Sequence, residues 1–266
     1  MDLSLLATLR AKNPIVFNIA NFVTVQDVAN SLNSIGASPI MSAEPQEAEA
    51  MVQIAGAVCL NMGTLTTAQV TQMQAVGQLA NLHHKPVILD PVAVGAIPYR
   101  QQVAQDLLQT VKVDIIRGNA GEIAALAGID WQARGIDAGS GQADLVQIAQ
   151  ACAVKQRCVV ILSGPTDVIT DGQQVIQVKN GTPLFQLHVG SGDMLSAMVA
   201  AFAAICPDQL LAAAQMACLT FAGTGELVAS QMTANRPATF AIELIDKLSL
   251  VTAEELENVS RVSSGK

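Results

Sequence analysis

Between Pro14 and Gly164 the chain repeats short apolar runs closed by turn residues: "PIVFNIA", "GAVCLNMG", "KPVILDPV", "VDIIRGN" and "CVVILSG". Near-continuous Val, Ile and Leu without polar alternation predicts strands buried on both faces. Between these runs the apolar positions fall at helical spacing. In "TVQDVANSLNSIG", Val25, Val28, Leu32 and Ile35 share one helical face and Gly36 closes the C-terminus. This alternation predicts an α/β fold, with a mostly parallel central sheet and helices on both faces.

After Ser163 the rhythm changes. "DVITDGQQVIQV" holds two short β-type runs around Asp171-Gly172, a strong hairpin signal, and Asn180-Gly181 is a second turn candidate. From Gly190 onward the pattern is nearly all helical. "DQLLAAAQMACLTFAGTGELVASQM" predicts a long helix rich in small residues, which Gly223 and Gly225 are expected to bend or interrupt. The opening "MDLSLLATLRAKNP" reads as a short amphipathic helix and lacks the basic-then-apolar order of a signal segment. No linker-like shift in composition divides the chain. A single domain over residues 1–260 is therefore expected, with 261–266, "RVSSGK", as a mobile tail.

Composition narrows the function classes. Hydrophobic residues make up 51% and charged residues 14%, which excludes a disordered chain and requires a large core. The net charge of -8 repels nucleic acid and anionic membrane surfaces, so neither is an expected partner, and an anionic ligand needs local positive groups. Five cysteines without a C-x-x-C pair suit buried, reduced thiols in a cytoplasmic protein. The apolar stretch Met194 to Cys206 ends at Pro207, short of the roughly 18 to 20 residues of a membrane span.

In open α/β sheets ligands gather where strands run out into loops. That rule selects the turns at Asn18 to Asn21, Asn61 to Gly63, Asp90 to Gly95, Arg117 to Glu122 and Ser163 to Asp167. The segment "HVGSGDMLSAMVAAFAA" adds Gly190, Ser191 and Gly192 ahead of a helix beginning near Asp193. Unpaired N–H groups at such a start form an anion hole, to which the Ser191 hydroxyl can add a donor. Taken alone, G-x-G-D is more often a first-turn acid favoured by the helix dipole.

Two neighbours in the pattern point further. In "IIRGNAGEIAALAG", Arg117 supplies fixed charge for phosphate oxygens, while Asn119 and Glu122 are hard oxygen donors of the kind Mg2+ and its waters prefer. Asn119 and Glu122 also have capping-box spacing, and both roles are compatible. In "VILDPVAVGA", Asp90 is either a carboxylate for a metal-bound water or a turn-forming residue. Neither G-x-x-x-x-G-K-[ST] nor a strand-opening G-x-G-x-x-G occurs. Phosphoryl transfer needs positioning, charge neutralisation and a group that orients the attacking hydroxyl, and Asp193 is the candidate for that last role.

Together, "NFVTVQDVAN", "GASPIMS", "LNMGTL", "ILDPVAVGA", "RGNAGEIAALAG", "VVILSGPTDVITDG", "VGSGDMLSAMVAAFAA" and "NRPATFAIELIDKL", in this order, resemble the hydroxyethylthiazole kinase family of thiamine salvage, over roughly Asn13 to Leu248. The resemblance implies a single-domain, ribokinase-like three-layer sandwich that phosphorylates 4-methyl-5-(2-hydroxyethyl)thiazole with ATP and Mg2+, as a homotrimer with active sites between subunits. It implies substrate contacts at Met41, Gly190 and Asn21, and ATP contacts at Arg117 and Ser163. Ser191 and Gly192 fall in the phosphate-holding turn, Asp90 and Glu122 match the acidic pair near Mg2+, and Asp193 remains the candidate catalytic residue. Two departures stand out: Asp193 occupies the position of the family's usual cysteine, and "MSAEPQEAEAM" replaces its frequent M-A-N-A form. Two related readings share the phosphate machinery. One is a nucleotide-dependent dehydratase of hydrated nicotinamide nucleotides, which also uses a G-x-G-D turn; the other is a kinase of a different small alcohol such as hydroxymethylpyrimidine. A nucleotide-binding module without turnover is the third alternative.

Overall fold

In the computed structural model, which describes residues 1–130 and 141–265, consecutive residues of the buried strands enter opposite cores. Val16, Cys59, Ile88, Ile115 and Ile161 pack into one, and Phe17, Leu60, Leu89, Ile116 and Leu162 into the other. The strands are β1 (Ile15–Ile19), β2 (Ser38–Met41), β3 (Ala57–Asn61), β4 (Val87–Asp90), β5 (Ile115–Asn119), β6 (Val159–Ser163), β7 (Asp167–Thr170), β8 (Val175–Val178) and β9 (Val262–Gly265). The helices are α1 (Ser4–Lys12), α2 (Val25–Ile35), α3 (Ala48–Ile54), α4 (Thr67–Leu82), α5 (Pro98–Thr110), α6 (Ala120–Ala127), α7 (Gly141–Gln156), α8 (Ser191–Ile205), α9 (Leu210–Gln231), α10 (Pro237–Leu250) and α11 (Ala253–Val259).

The sheet order is β2-β1-β3-β4-β5-β6-β7-β8-β9. β1 to β6 run parallel, and β7, β8 and β9 are added antiparallel. Residues of α1, α2, α8, α9 and α10 fill the first core, and those of α3 to α7 fill the second. The result is the expected three-layer α/β sandwich. The apolar runs all become strands, Gly36 ends α2 in the left-handed conformation, and β7 and β8 form the hairpin around Asp171-Gly172.

Two expectations are corrected, and one strand is added to those expected. The tail is ordered from Val262 to Gly265, where it pairs with β8 in register Val178↔Val262, and Arg261 bonds to the same neighbourhood. As an edge strand with exposed side chains it leaves no hydrophobic signature in the sequence. α9 runs unbroken through Gly223 and Gly225; Gly225 lies against the Phe185 ring, which a β-carbon there would strike. α9 is also long and apolar enough to cross a membrane by length and composition, yet 78% of its apolar window is buried in the fold, as befits a core helix. The added strand, β2, is a half-buried edge strand that accommodates Pro39 and so lacks the continuous apolar run of the buried strands.

Candidate active site

β1 lies between β2 and β3, so the chain leaves it to one side and returns on the other. Such a reversal opens a crevice above the strands' carboxyl ends. Asn21 and Thr24 follow β1 there, Asn61 ends β3, and Asp193 reaches the same crevice from the first turn of α8. Asp193 Oδ2 accepts from Asn21 Nδ2 (3.0 Å) and from the Thr24 hydroxyl, and Oδ1 accepts from Asn61 Nδ2 (2.9 Å). A carboxylate offers about four acceptor positions, so three protein donors fix its plane and leave room for one more.

A second carboxyl lies directly behind. The Asn61 amide also donates to Asp90 Oδ2 (3.2 Å), as does Ser196 Oγ (2.7 Å), and Arg117 Nη1 stands 3.5 Å from the same oxygen. Ser196 shares a helix face with Asp193, three residues on. Burial pushes the Asp90 carboxyl up to about 7; Arg117 and the Ser196 hydroxyl oppose that rise, and Asp193 adds to it.

The start of α8 depends on two glycines. Gly190 is left-handed at φ +97°, and a β-carbon on it would come within 2.7 Å of the Thr24 methyl. Gly192 lies beneath the Arg117 guanidinium, which a β-carbon there would strike. The N–H groups of Gly192 and Asp193 have no acceptor within the first helical turn and point out of the helix start with the positive end of its dipole. Arg117 therefore reinforces an anion-binding end. The Ser191 hydroxyl shares its one proton between the carbonyls of Phe185 (3.0 Å) and His188 (2.9 Å), so it braces the preceding turn where a free donor was expected.

A cavity of about 370 Å3 opens from this helix start. Arg117, Ser163, Ser191 and Gly192 line one part of it, and Pro183, Phe185, Leu195 and Phe221 make an apolar part. Ser163 ends β6 with its hydroxyl on the Gly118 carbonyl (3.2 Å). Asp167 also lines the cavity; burial pushes its carboxyl up to about 6 against the opposing effects of the Gly164 N–H (3.1 Å) and Arg117. Charge at one end and flat apolar surface at the other suit a nucleotide.

Glu122 and Met41 lie outside the hydrogen bonds around Asp193, although the Glu122 charge still adds to the rise of the Asp90 carboxyl. Glu122 accepts from the N–H groups of Ala93 and Asn119, both at 2.8 Å, and forms the full capping box of α6 with Asn119; it faces a second cavity of about 670 Å3. Met41 ends β2, two strands from β3, and packs against the core at the flank of the crevice. Among the described residues no cluster of three or more His, Cys, Asp or Glu encloses a metal. Asp90 and Glu122 are hard oxygen donors of the kind that hold Mg2+ through its waters, with phosphate supplying the remaining ligands.

Thr24, Asn61 and Ser196 carry no assigned role in the sequence reading. Asn61 lies in a strand-end turn that the reading selects, while Thr24 and Ser196 look like ordinary helix residues until the fold brings them to carboxylates.

The model of the hydroxyethylthiazole kinase family matches residues 6–254. A hydroxyethylthiazole kinase of Lactiplantibacillus plantarum is 72% identical over 262 residues, 98% of this chain and 100% of that one. The solved structure of a hydroxyethylthiazole kinase protein from Pyrococcus horikoshii OT3 superposes with a TM-score of 0.91 at 31% identity, covering 99% of this chain and 98% of that one. A ribokinase-like superfamily protein of Enterococcus faecalis shares the fold at 13% identity, with a TM-score of 0.67 over 95% and 96% of the two chains.

Proposed function

The chain belongs to the hydroxyethylthiazole kinase family, and from that premise we propose how its residues move the terminal phosphoryl group of ATP onto the hydroxyl of 4-methyl-5-(2-hydroxyethyl)thiazole. It is a kinase of this thiazole alcohol, with ATP as co-substrate, and the product's chemistry places it in thiamine biosynthesis. The observation that carries the division of labour is the position of Asp193. Its carboxylate is held in the crevice by Asn21, Thr24 and Asn61, one residue from Gly192, over which the Arg117 guanidinium lies.

In this reading ATP lies in the 370 Å3 cavity, its phosphates toward Gly192 and Arg117 with Ser163 and Ser191 at the wall. The N–H groups of Gly192 and Asp193 and the Arg117 guanidinium stabilise the transferring group where charge develops. The alcohol enters over Gly190 and Asn21 from the Met41 flank, donates its hydroxyl proton to the free acceptor position of Asp193, and is thereby aimed at the phosphorus. Transfer breaks the bond between phosphorus and the bridging oxygen of ADP, forms the new one to the alcohol oxygen, and leaves the proton on Asp193 late in the step. Asp90 and Glu122 are the residues that would hold the waters of Mg2+, which when bound neutralises phosphate charge. The assembly is a cytoplasmic homotrimer with the alcohol side of each crevice at a subunit boundary. Exposed Phe22, next to Asn21, and Val189, next to Gly190, support that boundary, at 80% and 72% exposure.

ADP release with Mg-ATP and a panel of hydroxyethylthiazole, hydroxymethylpyrimidine, pyridoxal and ribose tests the substrate. Turnover selective for the thiazole alcohol is expected. In Asp193→Asn, kcat is expected to fall by about two orders of magnitude or more with little change in either KM. Unaltered turnover in that variant removes the role given to Asp193.

A further inference from the structure

Residues 179–182 connect β8 to the turn that leads into α8, and Asn180, Gly181 and Thr182 form one wall of the 370 Å3 cavity. This wall has no regular secondary structure, and around Gly181, at φ +141°, no atom stands within 4 Å of where a β-carbon would be. Hydrogen bonds to two distant parts of the chain hold it. Asn180 is 3% exposed; its Nδ2 donates to the Val259 carbonyl (2.7 Å) and to Glu226 Oε2 (3.0 Å), and its Oδ1 accepts the Arg261 N–H (2.9 Å). Glu226, on α9, also accepts the Gly181 N–H (3.2 Å).

Arg261 closes the ring. Its guanidinium is bidentate on Glu226, with Nη2 at 2.7 Å from Oε2 and Nη1 on Oε1, and Nη2 donates to the Lys179 carbonyl (3.0 Å). The Lys179 N–H returns a bond to the Arg261 carbonyl (3.2 Å). An isolated surface ion pair contributes little, but a bidentate pair inside a network that also satisfies a buried amide fixes geometry. None of the three side chains reaches the Asp193 group.

We propose that Arg261, acting through Glu226 and Asn180, is a positioning residue for the nucleotide: the entry to the C-terminal strand β9 latches the cavity wall and so sets the affinity for ATP. This rests on the reading that ATP occupies the 370 Å3 cavity. The wall is prefolded by the latch, so ATP binds without having to order it. The alcohol side and the transfer step are built from other elements and do not feel the change.

Steady-state kinetics of Arg261→Ala, Arg261→Lys and Ala222→Leu, with melting temperatures, test it. Arg261→Ala is expected to raise KM for ATP about tenfold while kcat and KM for the alcohol stay within about twofold. Arg261→Lys, which keeps a donor for Glu226, is expected to recover part of that loss. Ala222 lines the cavity, so a larger side chain there raises KM for ATP whatever the latch does. A raised KM in Ala222→Leu with wild-type kinetics in Arg261→Ala overturns the latch and leaves the nucleotide site standing. Unchanged KM for ATP in both overturns the nucleotide site, and the latch with it. A uniform loss of kcat and of both affinities in Arg261→Ala, alongside a lowered melting temperature and without recovery in Arg261→Lys, overturns the latch in favour of a purely structural ion pair.

Discussion

Asp167 shows how far a single buried carboxyl can work against the fold that contains it. Burial raises it from 3.8 to about 6. The folded protein therefore holds this proton between about pH 4 and 6, where the unfolded chain has released it, and stability falls as pH rises through that window and stays lower above it. The shift corresponds to about 3 kcal/mol at most. Melting of the unliganded Asp167→Asn protein should match the wild type near pH 4 and exceed it by about 5 °C at pH 7.5; parallel curves across that range would remove the argument. The sequence reading reaches Asp167 as the end of a strand-end turn but not its burial. The same boundary holds for Asp193: the G-S-G-D segment marks it as a helix-start acid, but its donors lie 132, 169 and 172 residues away, a separation that no local pattern spans.

Among the elements, the parallel strands are legible because burial on both faces demands unbroken apolar runs, and β1, β3, β4, β5 and β6 follow the runs identified in the sequence. The elements hidden from that reading lie at the sheet's edges. β2 carries a proline and half-buried side chains, and β9 is mostly serine and glycine, so both are defined by backbone pairing alone. The glycines of α9 illustrate a different ambiguity. A helix-period pattern containing Gly223 and Gly225 reads as a break, whereas Gly225 serves the approach of Phe185, which stacks on Phe221 at 4.7 Å and meets Phe240 edge-on at 5.4 Å. Gly225→Ala is expected to destabilise the protein by about 1–3 kcal/mol through overpacking. Because Phe185 lines the cavity, KM for ATP should rise with it. Gly223→Ala, whose nearest new neighbour is a Leu256 methyl at 3.2 Å, is the control and should cost less. Thermal melts of the two variants decide it; equal changes would remove the special role of Gly225 beside Phe185, since helix propensity alone favours alanine at both positions.

At the scale of the whole molecule, the apolar rim of the crevice makes a prediction about assembly. Phe22, Val23, Leu187 and Val189 are exposed by 80%, 64%, 55% and 72%, and they flank Asn21, Thr24 and Gly190. If a neighbouring copy covers this rim, light scattering after size exclusion gives a trimer, and Phe22→Asp lowers both the mass and the turnover with the thiazole alcohol. A wild-type monomer with full activity would exclude a shared site. The crevice also has a history within each copy, because its donors and its acid come from opposite halves of the chain. At about 5 to 20 residues per second, the 172 positions separating Asn21 from Asp193 correspond to roughly 9 to 34 s of translation. Over that interval the growing chain gains the donors Asn21, Thr24 and Asn61 without the acid they hold, and without α8, α9 and α10, which fill much of one face of the sheet. A ribosome stalled between β4 and α8 would therefore carry strands with one face incompletely covered and no catalytic competence.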